Sequence, residues 1–339
     1  MKNPTMPAVE HALPATTRPP RKAWPVVLHV CALGLLLAGP YALDPFYVSL
    51  AIPFMAYAIV LLGFNLLFGY GGLLSFGAGL FVAIGAYCCA ALTRLGGGVA
   101  FEGMLSVAIL TAIAIAVPLA VVTCRFTGIF FGMLTLSFGM LFHSFLMKFY
   151  IITGGETGLL VAQPTLLGMK FAQMDRMQFL TGPFYFYCTV LLTVAYLAMR
   201  KIVDSPYGLH LMASRDNDVK ATYLGVRVQR VRAVAFVIAA VYGSVGGAIL
   251  GVNTGLADPE LAYWTHSGHI VFMAVLGGYQ EFVGPIVGAL VFTLLQDQLQ
   301  SWTQYWRLWM GVVIAVIVVA APGGLAGTAR KLFDRSSKS

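Results

Sequence analysis

From Asp204 to Arg232 the chain reads DSPYGLHLMASRDNDVKATYLGVRVQRVR, the one long polar and charged interruption between successive apolar runs. Runs of about 20 apolar residues, the length a membrane-spanning helix needs, lie on both sides of it. The interruption cannot share their environment, because a central Arg or Asp in hydrocarbon costs roughly 2.5–3.5 kcal/mol on insertion scales. It is therefore expected at the cytoplasmic face. Its residues spell two short helices. Asp204 or Ser205 can cap the first, Pro206 suits its first position, and Leu209 with Met212 supplies an apolar stripe. Asp216 or Asn217 can cap the second, which carries Val219, Tyr223 and Leu224, and Gly225 suits a left-handed stop.

Hydrophobic residues fill 59% of the 339 positions and charged residues only 10%. That balance predicts an all-α fold, a polytopic membrane helical bundle with about ten transmembrane or re-entrant helices. Spans are expected at 26–43, 46–68, 73–92, 104–124, 129–151, 179–199 and 233–252, then a glycine-broken pair at 268–279 and 283–300, and a last span at 306–321. The pair gives ten crossings if both halves traverse, or nine elements if it re-enters. Residues 26–325 thus form one membrane domain containing the 204–230 loop. Residues 1–25, rich in proline and basic side chains, read as a disordered cytoplasmic tail, and 326–339 as a second cytoplasmic tail. The run at 26–43 is read as a span rather than a cleaved leader, because a long polar region precedes it.

The formal net charge of +8 reflects basic residues at the edges of apolar runs, not a nucleic-acid surface. With both termini inside, 16 of the 21 Lys and Arg residues fall on the cytoplasmic side. The other five are Arg94, Lys148, Lys170, Arg176 and Arg307, so the positive-inside rule favours this topology. The five cysteines lie in apolar spans without CxxC or histidine spacing, and no metal site is expected. No GxxxxGK[ST], HExxH or GxSxG pattern occurs, so neither a Walker cradle nor a hydrolase centre is expected.

Gly243, Gly247 and Gly251, like Gly284 and Gly288, step by four and suit close helix packing within the chain or with a second membrane subunit. The breaks at Gly277–Gly278 and Gly284–Pro285 point to irregular backbone at membrane depth, which survives only where protein buries it or a wet cavity borders it. A solute route with few fixed charges would pass Ser75, Gly77, Thr135, Ser137, Gly277 and Gly278. His143 is read as hydrogen-bonded to a neighbouring helix rather than as part of a proton relay. The outward stretch from Thr153 to Gln178 orders a surface or gate, or else simply connects spans. The acidic loop with Asp258 and Glu260 is either a docking face or a solvated turn.

Four stretches together resemble the inner-membrane permease subunits of ABC importers for branched-chain amino acids, the Liv-M type. They are FNLLFGYGGLLSFGAGLFVAIGAYCCAA from Phe64, FGMLTLSFGMLFHSFLMKFYIITGGETGL from Phe131, SPYGLHLMASRDNDVKATYLG from Ser205, and Gly268–Leu290 with VLGGYQEFVGPIVGAL. The resemblance covers roughly residues 45–325. It implies a multi-pass subunit of the bacterial inner membrane with both termini cytoplasmic. It also implies a second homologous permease, two ATP-binding-cassette ATPases, a periplasmic solute-binding protein and surrounding lipid as partners. No cofactor is then bound by this chain, and ATP is used by the partner subunits. The charged loop corresponds to the family's coupling helices, with Gly208, Arg215, Asn217, Ala221, Leu224 and Gly225 at the pattern's positions. Asp216 stands where relatives more often carry Glu, and Ala78 where many carry His. Glu156, Asp258 and Glu260, acidic residues of the outward loops, are the candidate contacts for that binding protein. A urea or short-chain amide importer is an alternative within this fold. A passive small-solute channel and an intramembrane enzyme lie outside it.

Overall fold

The structure is a computed structural model that describes residues 34, 39–40, 44–96, 100–169, 171, 174–321 and 323–328. The tail expected over 1–25, all but three residues of the expected span 26–43, and most of the tail over 326–339 lie outside the described residues. The architecture lies within the unit Gly39–Ser339.

Among the described residues, eleven helices of six residues or more carry it. Helix α1 spans Pro45–Asn65 and continues as a π-helical turn, Leu66–Tyr70. Helices α2 (Ala78–Leu95), α3 (Phe101–Thr123) and α4 (Gly128–Lys148) follow. A short turn, Arg176–Phe179, then a π turn at Leu180–Phe184 around Pro183, lead into α5, Tyr185–Val203. Helices α6 (Pro206–Asp216) and α7 (Asp218–Tyr223) form the charged pair. The rest are α8 (Val228–Thr254), α9 (Trp264–Gly277), α10 (Gly284–Trp302) and α11 (Trp306–Ala320).

Among the described residues, seven helical stretches are long and apolar enough to cross a bilayer: 46–70, 78–95, 101–123, 128–148, 176–203, 228–254 and 306–328. The expectation of about ten is therefore met only in part. Helix α9 has 14 residues, about 21 Å at 1.5 Å per residue, against the ~30 Å of hydrocarbon. Helix α10 is longer, but Gln296, Asp297 and Gln298 interrupt its apolar run. The two form a hairpin joined by Gly278–Val283.

Helix α8 is the axis of the bundle, with α1, α2 and α3 packed round it. Glycines set the approach. A Cβ at Gly85 would lie 2.0 Å from the Ser244 oxygen, and one at Gly247 would lie 1.9 Å from the Val82 oxygen. Lipid tails are as apolar as Leu, so helices in a bilayer are held by such close van der Waals contact rather than by the hydrophobic effect. The GxxxG steps of α8 thus pack within this chain. The outer faces are aliphatic: Val107, Leu110 and Val117 on α3, Val190 and Val194 on α5, and Val312, Val316 and Val319 on α11 are exposed.

The bundle has two unlike ends. At one, the basic end, Arg200, Lys201, Arg215, Lys220, Arg227, Arg230 and Arg232 gather round α6 and α7. At the other, a two-residue ribbon pairs Leu159 with Ala257 and Leu160 with Leu256. Arg94 there donates to the Ile151 carbonyl at 3.1 Å. Arg176 donates to the carbonyls of Val252 and Asn253, at 3.2 and 3.1 Å, where α8 ends. A cation over the last carbonyls of a helix offsets its dipole, which gives Arg176 a local structural role.

Candidate functional site

The charged pair forms as its residues predict. Pro206 opens α6, the Asn217 side chain accepts from the Lys220 N–H at 2.9 Å to cap α7, and Gly225 follows α7 at φ +85°. One detail differs: the Ser205 hydroxyl does not cap α6 but donates to the Ile202 carbonyl at 2.6 Å. Gly208 is buried against the turn from α5, where a Cβ would lie 2.1 Å from the Val203 oxygen.

Three straps tie the pair to the bundle. The Arg215 guanidinium donates to the Gly69 carbonyl, and its aliphatic stem lies over Gly72. Tyr207 donates to the Val231 carbonyl at 2.9 Å, and burial raises its hydroxyl above the ordinary tyrosine range, so it stays a neutral donor. Arg232 of α8, 6% exposed, donates to the Ser214 carbonyl of α6 at 3.0 Å and pairs with Asp218 of α7 at 2.9 Å. Ala221 and Leu211 face inward. Asp216 is exposed and only 3.9 Å from Arg215, a weak surface pair.

The opposite face of the pair is apolar and bare. Leu209, Val219, Tyr223 and Leu224 are exposed, Tyr223 by 86% and Leu224 by 83%. On the polar end of a membrane protein, a patch of large apolar side chains on a rigid support suits a protein partner.

The second feature is a break at membrane depth. The expected span at 73–92 begins only at Ala78, because residues 71–77 leave helical geometry after the π turn, with Gly72 at φ +68°. The freed backbone is met by hydroxyls. The Phe76 N–H donates to Thr135 Oγ1 at 3.2 Å, the Gly77 N–H to Ser75 Oγ at 3.2 Å, and the Gly79 N–H to Ser267 Oγ at 3.0 Å. All three side chains are buried. Four N–H groups at any helix start lack intrahelical partners, and within a bilayer only protein can supply them. Beside Ser75 and Ala78, the walls of α1, α2 and α8 leave room for about one water molecule. The bundle is closed there to anything the size of an amino acid.

Ser75, Gly77 and Thr135 therefore come together as one group. Ser137 does not join it, being exposed and bonded to the Met133 carbonyl of its own helix. Gly277 and Gly278 lie instead at the basic end, packed against Gly284 and against Gly323–Gly324. At the far end, the ribbon brings the Glu156 turn beside the Asp258 loop. Glu156 and Glu260 are exposed, and Asp258 accepts from the Glu260 N–H at 2.8 Å to start a 3-10 turn, Pro259–Ala262.

Two residues carry more than their sequence suggests. Arg232 reads as one of many topology-setting cations, and its only signal is its place at the first turn of an apolar run. Ser267 has no sequence signal, since its partner lies 188 residues away.

Comparison with known proteins matches residues 46–322 to the family described as "Branched-chain amino acid transport system / permease component". The high-affinity branched-chain amino acid transport system permease protein LivM of Escherichia coli (strain K12) is 27% identical over 87% of this chain and 73% of its own length. LivM of Salmonella typhimurium is 26% identical over 86% and 73%. The permease protein LivH of Escherichia coli (strain K12) is 26% identical over 71% and 80%. No solved structure gives a significant match.

Proposed function

We infer from one premise, that this chain belongs to the family of branched-chain amino acid transport system permease components, that it is the membrane subunit of an ATP-driven importer. The proposed cargo is a branched-chain or related small amphipathic amino acid. The basic end then faces the cytoplasm of a bacterium, the ribbon end faces the periplasm, and the protein sits in the inner membrane with both termini inside. A LivH-like second permease, two ATP-binding-cassette ATPases and a periplasmic binding protein complete the assembly.

The observation that carries the reading is the strapped helix pair with its bare apolar tip. Leu209, Val219, Tyr223 and Leu224 would seat in an ATPase groove. Arg215, Tyr207 and Arg232 would pass the ATPase closure to α1 and α8 as a rigid-body push, because a tightly bonded pair cannot absorb it by bending. Nucleotide chemistry stays in the partner subunits. Glu156, Asp258 and Glu260 offer an acidic face to the binding protein. The cargo would pass the Ser75–Thr135 break, whose hydroxyls and backbone groups suit a polar but not strongly charged solute.

The test is co-purification of the chain with two ATPases, followed by uptake of leucine into proteoliposomes. Uptake that needs hydrolysable ATP and the binding protein supports the reading. A chain that moves leucine alone, without ATP, would falsify it.

A further inference from the structure

Helix α9 touches both features of the site, one at each end. At its later end, Tyr279 packs on Phe68 with ring centroids 4.5 Å apart. The Tyr279 carbonyl lies so close to Gly69 that a Cβ there would come within 2.4 Å of it. Gly69 is the residue whose own carbonyl receives Arg215. At its earlier end, Ser267 accepts from the Gly79 N–H at the start of α2. The helix between them does not flex alone. A Cβ at Gly277 would lie 1.9 Å from the Gly284 oxygen, and one at Gly288 would lie 1.9 Å from the Met273 oxygen, so α9 and α10 touch backbone to backbone. Such packing shifts as a unit rather than deforming.

We propose that α9 is the rod that carries a displacement of the α6–α7 pair to the start of α2, and that Ser267 is the positioning residue through which it acts. The inference rests on the reading of the chain as a motor-driven permease. Movement at Gly69 displaces Tyr279, α9 and Ser267 together. Thr135 belongs to a separate helix, α4, and keeps its place. Ser267 then withdraws from Gly79 and leaves a backbone donor free at a helix N-terminus beside the closed cleft, where the positive end of the dipole favours a carboxylate. The cargo meets that donor only after the motor has moved.

The experiment uses the complete reconstituted transporter and reads leucine taken up per ATP hydrolysed. Ser267→Ala and Tyr279→Ala should each lower that ratio about five- to tenfold, the range of ordinary coupling energies. Ser267→Thr keeps the hydroxyl and Tyr279→Phe keeps the ring, so both should restore it. The Ser267→Ala/Tyr279→Ala double variant should lose no more than the worse single variant, because the two act in series. Losses that multiply in the double variant, or ratios unchanged in both singles, overturn the rod. Should Ser267→Ala not assemble, Tyr279→Ala against Tyr279→Phe decides the question. A wild-type transporter without ATP-dependent uptake overturns the permease reading itself, a result separate from any of these.

Discussion

Arg215 reaches back 146 residues to donate to the main-chain carbonyl of Gly69. The acceptor lies at the end of a π turn, where the last carbonyls of a helix lack intrahelical donors. Arg215→Ala should therefore loosen the α6–α7 pair without unfolding the bundle, at about 1 kcal/mol because the side chain is part-exposed. Faster amide hydrogen exchange over 206–223, with the exchange of α8 unaltered, is the expected outcome. Equal acceleration in both would mean that the strap is not local.

Arg232 should matter more. Its removal strands the Ser214 carbonyl and the Asp218 carboxylate together, a loss of about 2–3 kcal/mol after allowing for the half-exposed Asp218. Arg232→Met should lower the melting temperature of the detergent-purified chain more than Asp218→Asn does. The reverse order would show that Arg232 acts through something other than these two partners.

Gly247→Ala should separate α8 from α2, because the added Cβ would fall 1.9 Å from the Val82 oxygen. Overpacking of this kind costs about 1–3 kcal/mol. Gly268→Ala is the contrast, since nothing lies within 4 Å of its Cβ position and alanine is the better helix former. Thermal melts of the two variants should shift in opposite directions, and a matching drop in both would sink the packing argument.

Leu224→Glu or Tyr223→Glu should abolish co-purification of the proposed ATPases yet leave the chain's own stability within about 0.5 kcal/mol, since exposed side chains carry little of it. Retained co-purification by both variants would remove the apolar tip from the interface.

Cys124, just beyond the end of α3, is buried, and that burial pushes its thiol up to about 11. The thiolate is the reactive form, so near neutral pH Cys124 should resist a water-soluble maleimide and react only after denaturation or at strongly alkaline pH. Rapid labelling of the native chain would show that α3 frays where the structure has it ordered.

The α6–α7 pair was legible because local chemistry writes it: Pro206 in the first turn, Asn217 as a cap and Gly225 as a left-handed stop each act within a few residues. The break after Gly69 was less so. LLSFGAG is apolar enough to pass as the start of a span, and two of the three hydroxyls that make it tolerable come from Thr135 and Ser267, 59 and 188 residues away. Hydropathy records how oily a stretch is, not whether its N–H groups find partners. The same limit hid Arg232 among the other cations. Gly277 and Gly278 were correctly seen to end a helix, but nothing local shows which end of the bundle such a turn will occupy.

One unbroken helix, Val228–Thr254, holds the α6–α7 pair through Arg232 near its first turn, and runs at its last into the ribbon loop that bears Asp258. Its 27 residues make a shaft of about 40 Å. Thermodynamic reciprocity then sets a rule for any two ligands gripping opposite ends of that shaft. Whatever factor a visitor at the ribbon end applies to the grip on the basic end, the occupant there must return to the visitor in full.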